Sequence, residues 1–303
     1  MNFHERRRRN GPVFETHEKA HREVLATENW FGDGKPFIGR QFTAAKARER
    51  KAEIINLLYR AEKRERRDGD AGVTDRLAIL ADKIFRCRPG RRCGSLACPE
   101  CLRAYQKAKV AAQRDTIKLL KATRKNKLLV MVNIIPLMVT YKPEDLSVLK
   151  VQKLNRWLKD VLTRVGFKRV MLGSIDFSWE ADRGIYQPHW HIAMWTSNRE
   201  KLTRRLKRIF PGLERGDRPV VASKTYSLGF LPYKDKAIKL PALLRNNRRG
   251  LPYLLLALDR TEPLDLMVLF GVRASAQDGG FEFKKIQRRK MAGHRKRRID
   301  EKR

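Results

Sequence analysis

The chain has 303 residues, 42% of them hydrophobic, and carries 69 Lys and Arg against 33 Asp and Glu, a formal charge of +36. That is enough apolar residue for a real core in one large domain or two ordinary ones, while so large a positive surplus repels itself unless a polyanion compensates it; nucleic acid is the expected partner and an anionic membrane the weaker alternative. The longest apolar stretch, Leu251 to Leu258, is far too short to span a bilayer, and MNFHERRRRN lacks the apolar core of a signal peptide, so a cytoplasmic protein is expected.

Residues 1–86 read as a basic, mostly helical N-terminal region. Within it, QFTAAKARERKAEIINLLYRAEKRERR sets Ile54, Ile55, Leu57 and Leu58 as an apolar stripe among dense charges, with Thr43 placed to cap its start. The charges suit equally a solvated helix face and a helix lying on DNA phosphates. Segment 87–125 holds all four cysteines, Cys87, Cys93, Cys98 and Cys101, followed by a helical stretch. In a reducing compartment four local thiols, two of them in a CPEC knuckle, favour a closed structural zinc site over disulfides. Such a metal-braced loop would hold Arg86, Arg88, Arg91 and Arg92 ready to contact DNA.

Next come a buried strand, KLLVMVNII, and an amphipathic helix, EDLSVLKVQKLNRWLKDVLTRVG, with Leu146, Leu149, Leu154, Leu158 and Val161 on one side and Gly166 at its end. RVMLGSIDFSWE and IYQPHWHIAMW alternate with a period of two around ADRG, a hairpin signal. NREKLTRRLKRIF reads as a helix, RPVVASKTY as a strand and LPYKDKAIKL as a helical turn. The order β-α-β-β-α-β-α suits an α+β fold: an antiparallel sheet of ferredoxin-like type with helices on one face. Residues 246–283 read as a C-terminal extension of the 126–245 core, and 284–303 as a disordered basic tail.

The chemistry concentrates in the hairpin. Side chains two apart on a strand share a face, so His189 and His191 project together and Trp190 away from them. The preceding strand offers Asp176, or alternatively Glu180, at the same parity. Two imidazoles and one carboxylate can hold a metal with open positions for substrate oxygens, although strand histidines are also often merely hydrogen bonded.

PHWH resembles the His-hydrophobic-His motif of the HUH endonucleases, and its surroundings resemble the rolling-circle replication initiators of small plasmids. An acid on the strand before the histidine pair, the local form YQPHWH, the apolar strand KLLVMVNII upstream and the cysteine segment CRPGRRCGSLACPECLRAYQK all agree. The resemblance implies an HUH-type sheet and a Mg²⁺ or Mn²⁺ ion held by His189, His191 and Asp176. It also implies a tyrosine that nicks single-stranded origin DNA through a 5′-phosphotyrosyl bond, with host polymerase and helicase as further partners. Tyr233, with Lys236 in the Tyr-x-x-Lys pattern, is the implied nucleophile and Tyr226 the alternative. A different alignment puts Phe230 at the nucleophile position, which would make the chain a non-catalytic, zinc-containing nucleic-acid-binding descendant. A relaxase or transposase of the same superfamily uses the same chemistry.

Overall fold

The computed structural model of the protein describes residues 44–68, 71–88, 91–122, 127–146, 148–167, 171–213, 217–224, 247, 249–270, 272–277 and 280–285. Two long helices open it. α1 (Ala44–Asp68) buries Ile54, Leu57, Leu58 and Ala61, while α2 (Ala71–Phe85) answers with Val73, Leu77, Leu80, Ala81 and Ile84. These positions recur every three to four residues, so each helix turns one apolar stripe to the other. The cysteine segment then leads into α3 (Pro99–Ala122).

The remaining elements build a five-stranded antiparallel sheet of order β4-β1-β3-β2-β5. β1 (Leu128–Ile134) is followed by a single turn, α4 (Pro143–Leu146), and by α5 (Val151–Arg164), which crosses to β2 (Met171–Glu180). The hairpin partner β3 (Ile185–Thr196) lies between β2 and β1, and α6 (Arg199–Ile209) returns the chain to β4 (Val220–Lys224) at the edge. α7 (Leu251–Asp259) and a 3₁₀ turn lead to β5 (Met267–Phe270) beside β2, and β6 (Val272–Gln277) and β7 (Gly280–Lys285) form a separate hairpin that lies along α3. The α+β expectation therefore holds, with β3, the histidine strand, in the centre. Lys284 and Lys285 end β7 instead of beginning the basic tail.

Local chemistry accounts for the boundaries. Gly184 adopts φ 62 in the ADRG turn, a conformation costly for residues with a Cβ, and so closes the β2–β3 hairpin. Gly166, at φ 78, ends α5 with paired bonds from Gly166 N–H to the Thr163 carbonyl and from Phe167 N–H to the Leu162 carbonyl. The Asn198 side chain caps α6 by accepting from Lys201 N–H at 2.8 Å.

One expectation is corrected: the single helix read from Glu144 to Gly166 is two pieces. After α4 the amides of Val148 and Leu149 bond three residues back, tightening the chain, and α5 starts only at Val151. Leu146 is fully buried in α4, which packs on α7, whereas Leu154, Leu158 and Leu162 point from α5 into the core. The apolar spacing was continuous because the two pieces feed different parts of one core.

α5 and the end of α6 cover the face of the sheet that carries Trp190. Asn155 of α5, itself buried, accepts from the Trp190 indole N–H at 2.7 Å and donates to the carbonyls of Asp265 and Met267, tying helix, central strand and β5 together. α7 is apolar on nearly every side because it packs among the other helices; it touches α1, α2 and α4, and Asp259 pairs with Lys83 at 2.5 Å. One continuous cluster of buried side chains runs from α1 through the cysteine segment and sheet to β5. No described helix is long and apolar enough to cross a membrane.

Candidate functional site

Strand register assembles the first cluster. Asp176 stands directly opposite His189 on β3, and His191 is flanked by Ser174 of β2 and Asn133 of β1. One ligand atom from each of Asp176, His189 and His191 lies within 4.8 Å of the others. The His189 Nε2 to Asp176 Oδ2 distance is 3.4 Å, and the two imidazole rings are perpendicular with centroids 4.8 Å apart. Neighbouring donors each about 2.1 Å from a divalent ion stand about 3.0–3.4 Å apart in octahedral or tetrahedral geometry, so the carboxylate and His189 fit around a cation.

The surroundings fix these side chains. Asp176 and His189 are 1% and 7% exposed, and the second carboxylate oxygen of Asp176 accepts from Phe177 N–H at 2.8 Å. His191 is partly exposed, and its Nδ1 lies 2.8 Å from Asn133 Oδ1. With the amide oxygen as acceptor, Nδ1 is the donor of this bond, and such a bond orients the ring as in histidines that bind metal through their other nitrogen. Gly173 allows the approach of the strands: a Cβ there would lie 2.2 Å from the His191 carbonyl oxygen. Glu180 sits near the hairpin turn opposite Ile185 and is not part of the cluster.

Asn133, Ser174 and Gly173 are absent from the sequence reading. Asn133 had a signal, as the one polar side chain in an apolar strand; the other two are visible only from the register. Tyr226, Phe230, Tyr233 and Lys236 lie outside the described residues.

No protein-family model, curated protein or solved structure matches this chain.

The second cluster joins the end of α2 to the start of α3. Cys87, Cys93, Cys98 and Cys101 have their sulfurs within 4.8 Å of one another, with Cys101 Sγ 3.6 Å from both Cys87 Sγ and Cys93 Sγ. Sulfurs about 2.3 Å from a tetrahedral zinc stand about 3.8 Å apart, whereas a disulfide needs about 2.05 Å. All four cysteines are free thiols, and together they could hold a structural metal such as zinc. The wide first spacing is explained by a short antiparallel bridge between Arg88 and Arg91, which folds the chain back between Cys87 and Cys93.

Hydrogen bonds from Cys101, Cys93 and Cys98 hold the Cys87 thiol far below its usual range, while burial pushes Cys98 up. The Cys87 thiolate is thus favoured at the expense of Cys98 and Cys101, and a bound dication would offset that by stabilising further thiolates. Cations surround them. Arg92, with a side chain 5% exposed, donates to Glu100 at 2.6 Å and to Cys87 Sγ at 3.7 Å, and Lys51 of α1 donates to the Cys87 carbonyl and lies 3.8 Å from Glu100. Burial, then the charges of Arg48 and Arg92, lower the Arg103 guanidinium to about 10. Arg92 is therefore corrected from a DNA contact to an internal partner of the cysteine cluster, because the thiols and Glu100 draw it inward. Arg86, Arg88 and Arg91 are exposed.

Proposed function

We propose that the protein is a metal-dependent, single-strand DNA nickase and strand transferase of the HUH kind that initiates rolling-circle replication. The observation that carries this reading is the convergence of Asp176, His189 and His191 on adjacent central strands, with His191 oriented by Asn133. The strand order β4-β1-β3-β2 with two crossing helices agrees with a ferredoxin-like core of the HUH type, and the charge of +36 agrees with a DNA substrate.

Asp176, His189 and His191 would hold Mg²⁺ or Mn²⁺, which when bound supplies Lewis-acid polarisation of a scissile phosphodiester. The protein's own part is to orient His191 through Asn133, to set Asp176 beside His189, and to bury the Asp176 and His189 side chains. Tyr233, with Tyr226 as the alternative, attacks phosphorus through its hydroxyl oxygen; the new Tyr–O–P bond forms as the bond to the 3′ oxygen breaks, and the hydroxyl proton is transferred so that a free 3′-OH remains. Keeping the diester's energy in the phosphotyrosine permits rejoining, and Lys236 stabilises the oxygen that carries charge. Zinc at the cysteine cluster would brace the helical region, with Arg86, Arg88 and Arg91 on the DNA.

Single-stranded oligonucleotides tiling the replicon that encodes the chain, incubated with Mn²⁺, test this reading. A covalent protein–DNA adduct that disappears in Tyr233→Phe and in His191→Ala is expected. Adduct undiminished in Tyr233→Phe moves the nucleophile to Tyr226, and no adduct with any divalent ion supports the non-catalytic nucleic-acid-binding reading that Phe230 suggests.

A further inference from the structure

The sheet face opposite the histidines carries a feature that metal chemistry does not use. α5 and α6 approach each other there through side chains. The rings of Trp157 and Phe210, 6.3 Å apart, join the middle of α5 to the end of α6, and the Arg205 guanidinium, 4.7 Å over the Phe167 ring, joins α6 to the residues just after α5. On α6, Lys201, Arg204, Arg205 and Arg208 are all exposed, and their i, i+3, i+4, i+7 spacing puts them on one flank. Arg205 fixes that flank as the one turned toward α5. On α5, Trp157 and the exposed Arg164 are two turns apart and share the flank facing α6.

Two details separate this groove from the general positive charge. On α1, Arg50 pairs with Glu53 and Arg66 with Glu62 at 2.5 Å, and Arg64 with Glu65 at 3.0 Å. Among the described residues none of Lys201, Arg204, Arg205 and Arg208 has an acidic partner within ion-pair distance. Trp157 remains 36% exposed although its ring lies 5.9 Å from the fully buried Trp190, so a rigid indole is open to solvent beside the basic stripe.

We propose that the groove between α5 and α6 binds single-stranded nucleic acid, the basic stripe following the phosphates and Trp157 stacking on a base. Successive cations along a helix match the spacing tolerance of a flexible polyanion, and an exposed aromatic on a supported base gives stacking without sequence preference. The groove lies across the sheet from Asp176, His189 and His191, because Trp190 and the histidines alternate on β3. The site thus holds a strand at a distance from the metal cluster and stands whether or not that cluster is catalytic.

The test is fluorescence anisotropy of a labelled single-stranded 20-mer with the full chain, without added Mg²⁺ or Mn²⁺, over a range of salt. Lys201→Glu, Arg204→Glu and Arg208→Glu together are expected to weaken binding at least about tenfold and to reduce the slope of log affinity against log salt by about 2. The same charge change at the exposed α1 residues Arg60, Lys63 and Arg67, which likewise have no ion pair among the described residues, alters the net charge equally and is expected to have a much smaller effect, because no solvent-open tryptophan is packed with them. Glutamine at the three α6 positions should act in the same direction, more weakly, and Trp157→Phe should reduce the preference for single strand over duplex. Equal weakening by the α1 variant, or a salt slope unchanged by the α6 variant, would overturn the proposal. An unchanged preference in Trp157→Phe overturns the stacking part, and oligonucleotide binding unaffected by the α6 changes while binding to phosphatidylserine vesicles is lost would reassign the groove to a membrane.

Discussion

At the scale of single residues, the candidate site depends on side chains that do not touch substrate. Asn133 holds the tautomer and the orientation of His191, so Asn133→Ala should lower Mn²⁺ affinity about 10–100-fold while leaving the melting temperature nearly unchanged, as titration calorimetry and thermal denaturation together will read. Gly173 acts on the backbone instead. The Cβ of Gly173→Ala would overlap the His191 carbonyl at 2.2 Å and the Ile192 Cα at 2.8 Å, both of them backbone atoms with no side-chain rotation to relieve the clash. The strands must part, and urea denaturation should register a loss of about 1–3 kcal/mol together with weaker metal binding. His189 and His191 were legible as a pair because strand parity puts them on one face; parity left Asp176 and Glu180 as alternatives, and only the resemblance implied Asp176. Asn133 and Gly173 depend on which residues face each other across strands, and that register cannot be read along one strand.

At the scale of elements, two junctions carry the architecture. Asn155 satisfies the Trp190 indole N–H and two carbonyls near β5 at once. Asn155→Ala would leave those buried groups without a partner, and a destabilisation of about 1–3 kcal/mol is expected by chemical denaturation, with loss of the near-ultraviolet circular dichroism of the buried tryptophan. The cysteine cluster is the other junction, linking the end of α2 to the start of α3 and, through Lys51, to α1. Cys98→Ala, at a fully buried ligand position, should reduce bound zinc from about one per chain to none by elemental analysis and lower helical content as the helical region loosens. Most elements were legible from periodicity: β1, the β2–β3 hairpin and α6 fall within a few residues of their sequence-based limits. α4 and α5 were read as one helix because apolar spacing reports burial and is silent on which partner does the burying. Arg92 was assigned to DNA for the same kind of reason, since an arginine beside thiolates and an arginine facing solvent look alike in a sequence.

At the scale of the whole molecule, a charge of +36 is distributed unevenly in kind. Several α1 cations pair with acids, whereas the α6 stripe has no such pair among the described residues and lies beside Trp157, with the candidate metal-binding cluster on the other side of the sheet. In the proposed reading a strand is held at one surface and its phosphodiester is acted on at the other. The α+β plan was legible in the order of elements; the proposed α5–α6 surface was not, because only the tertiary approach of the two helices brings Trp157 beside the basic stripe. The central claim is that Asp176, His189 and His191 form a divalent-metal site. Electron paramagnetic resonance of Mn²⁺ titrated into the zinc-loaded protein measures this directly. One bound Mn²⁺ per chain, lost in both His191→Ala and Asp176→Asn with the zinc content unchanged, is the result predicted; the same Mn²⁺ uptake in the wild-type protein and the two variants would contradict it.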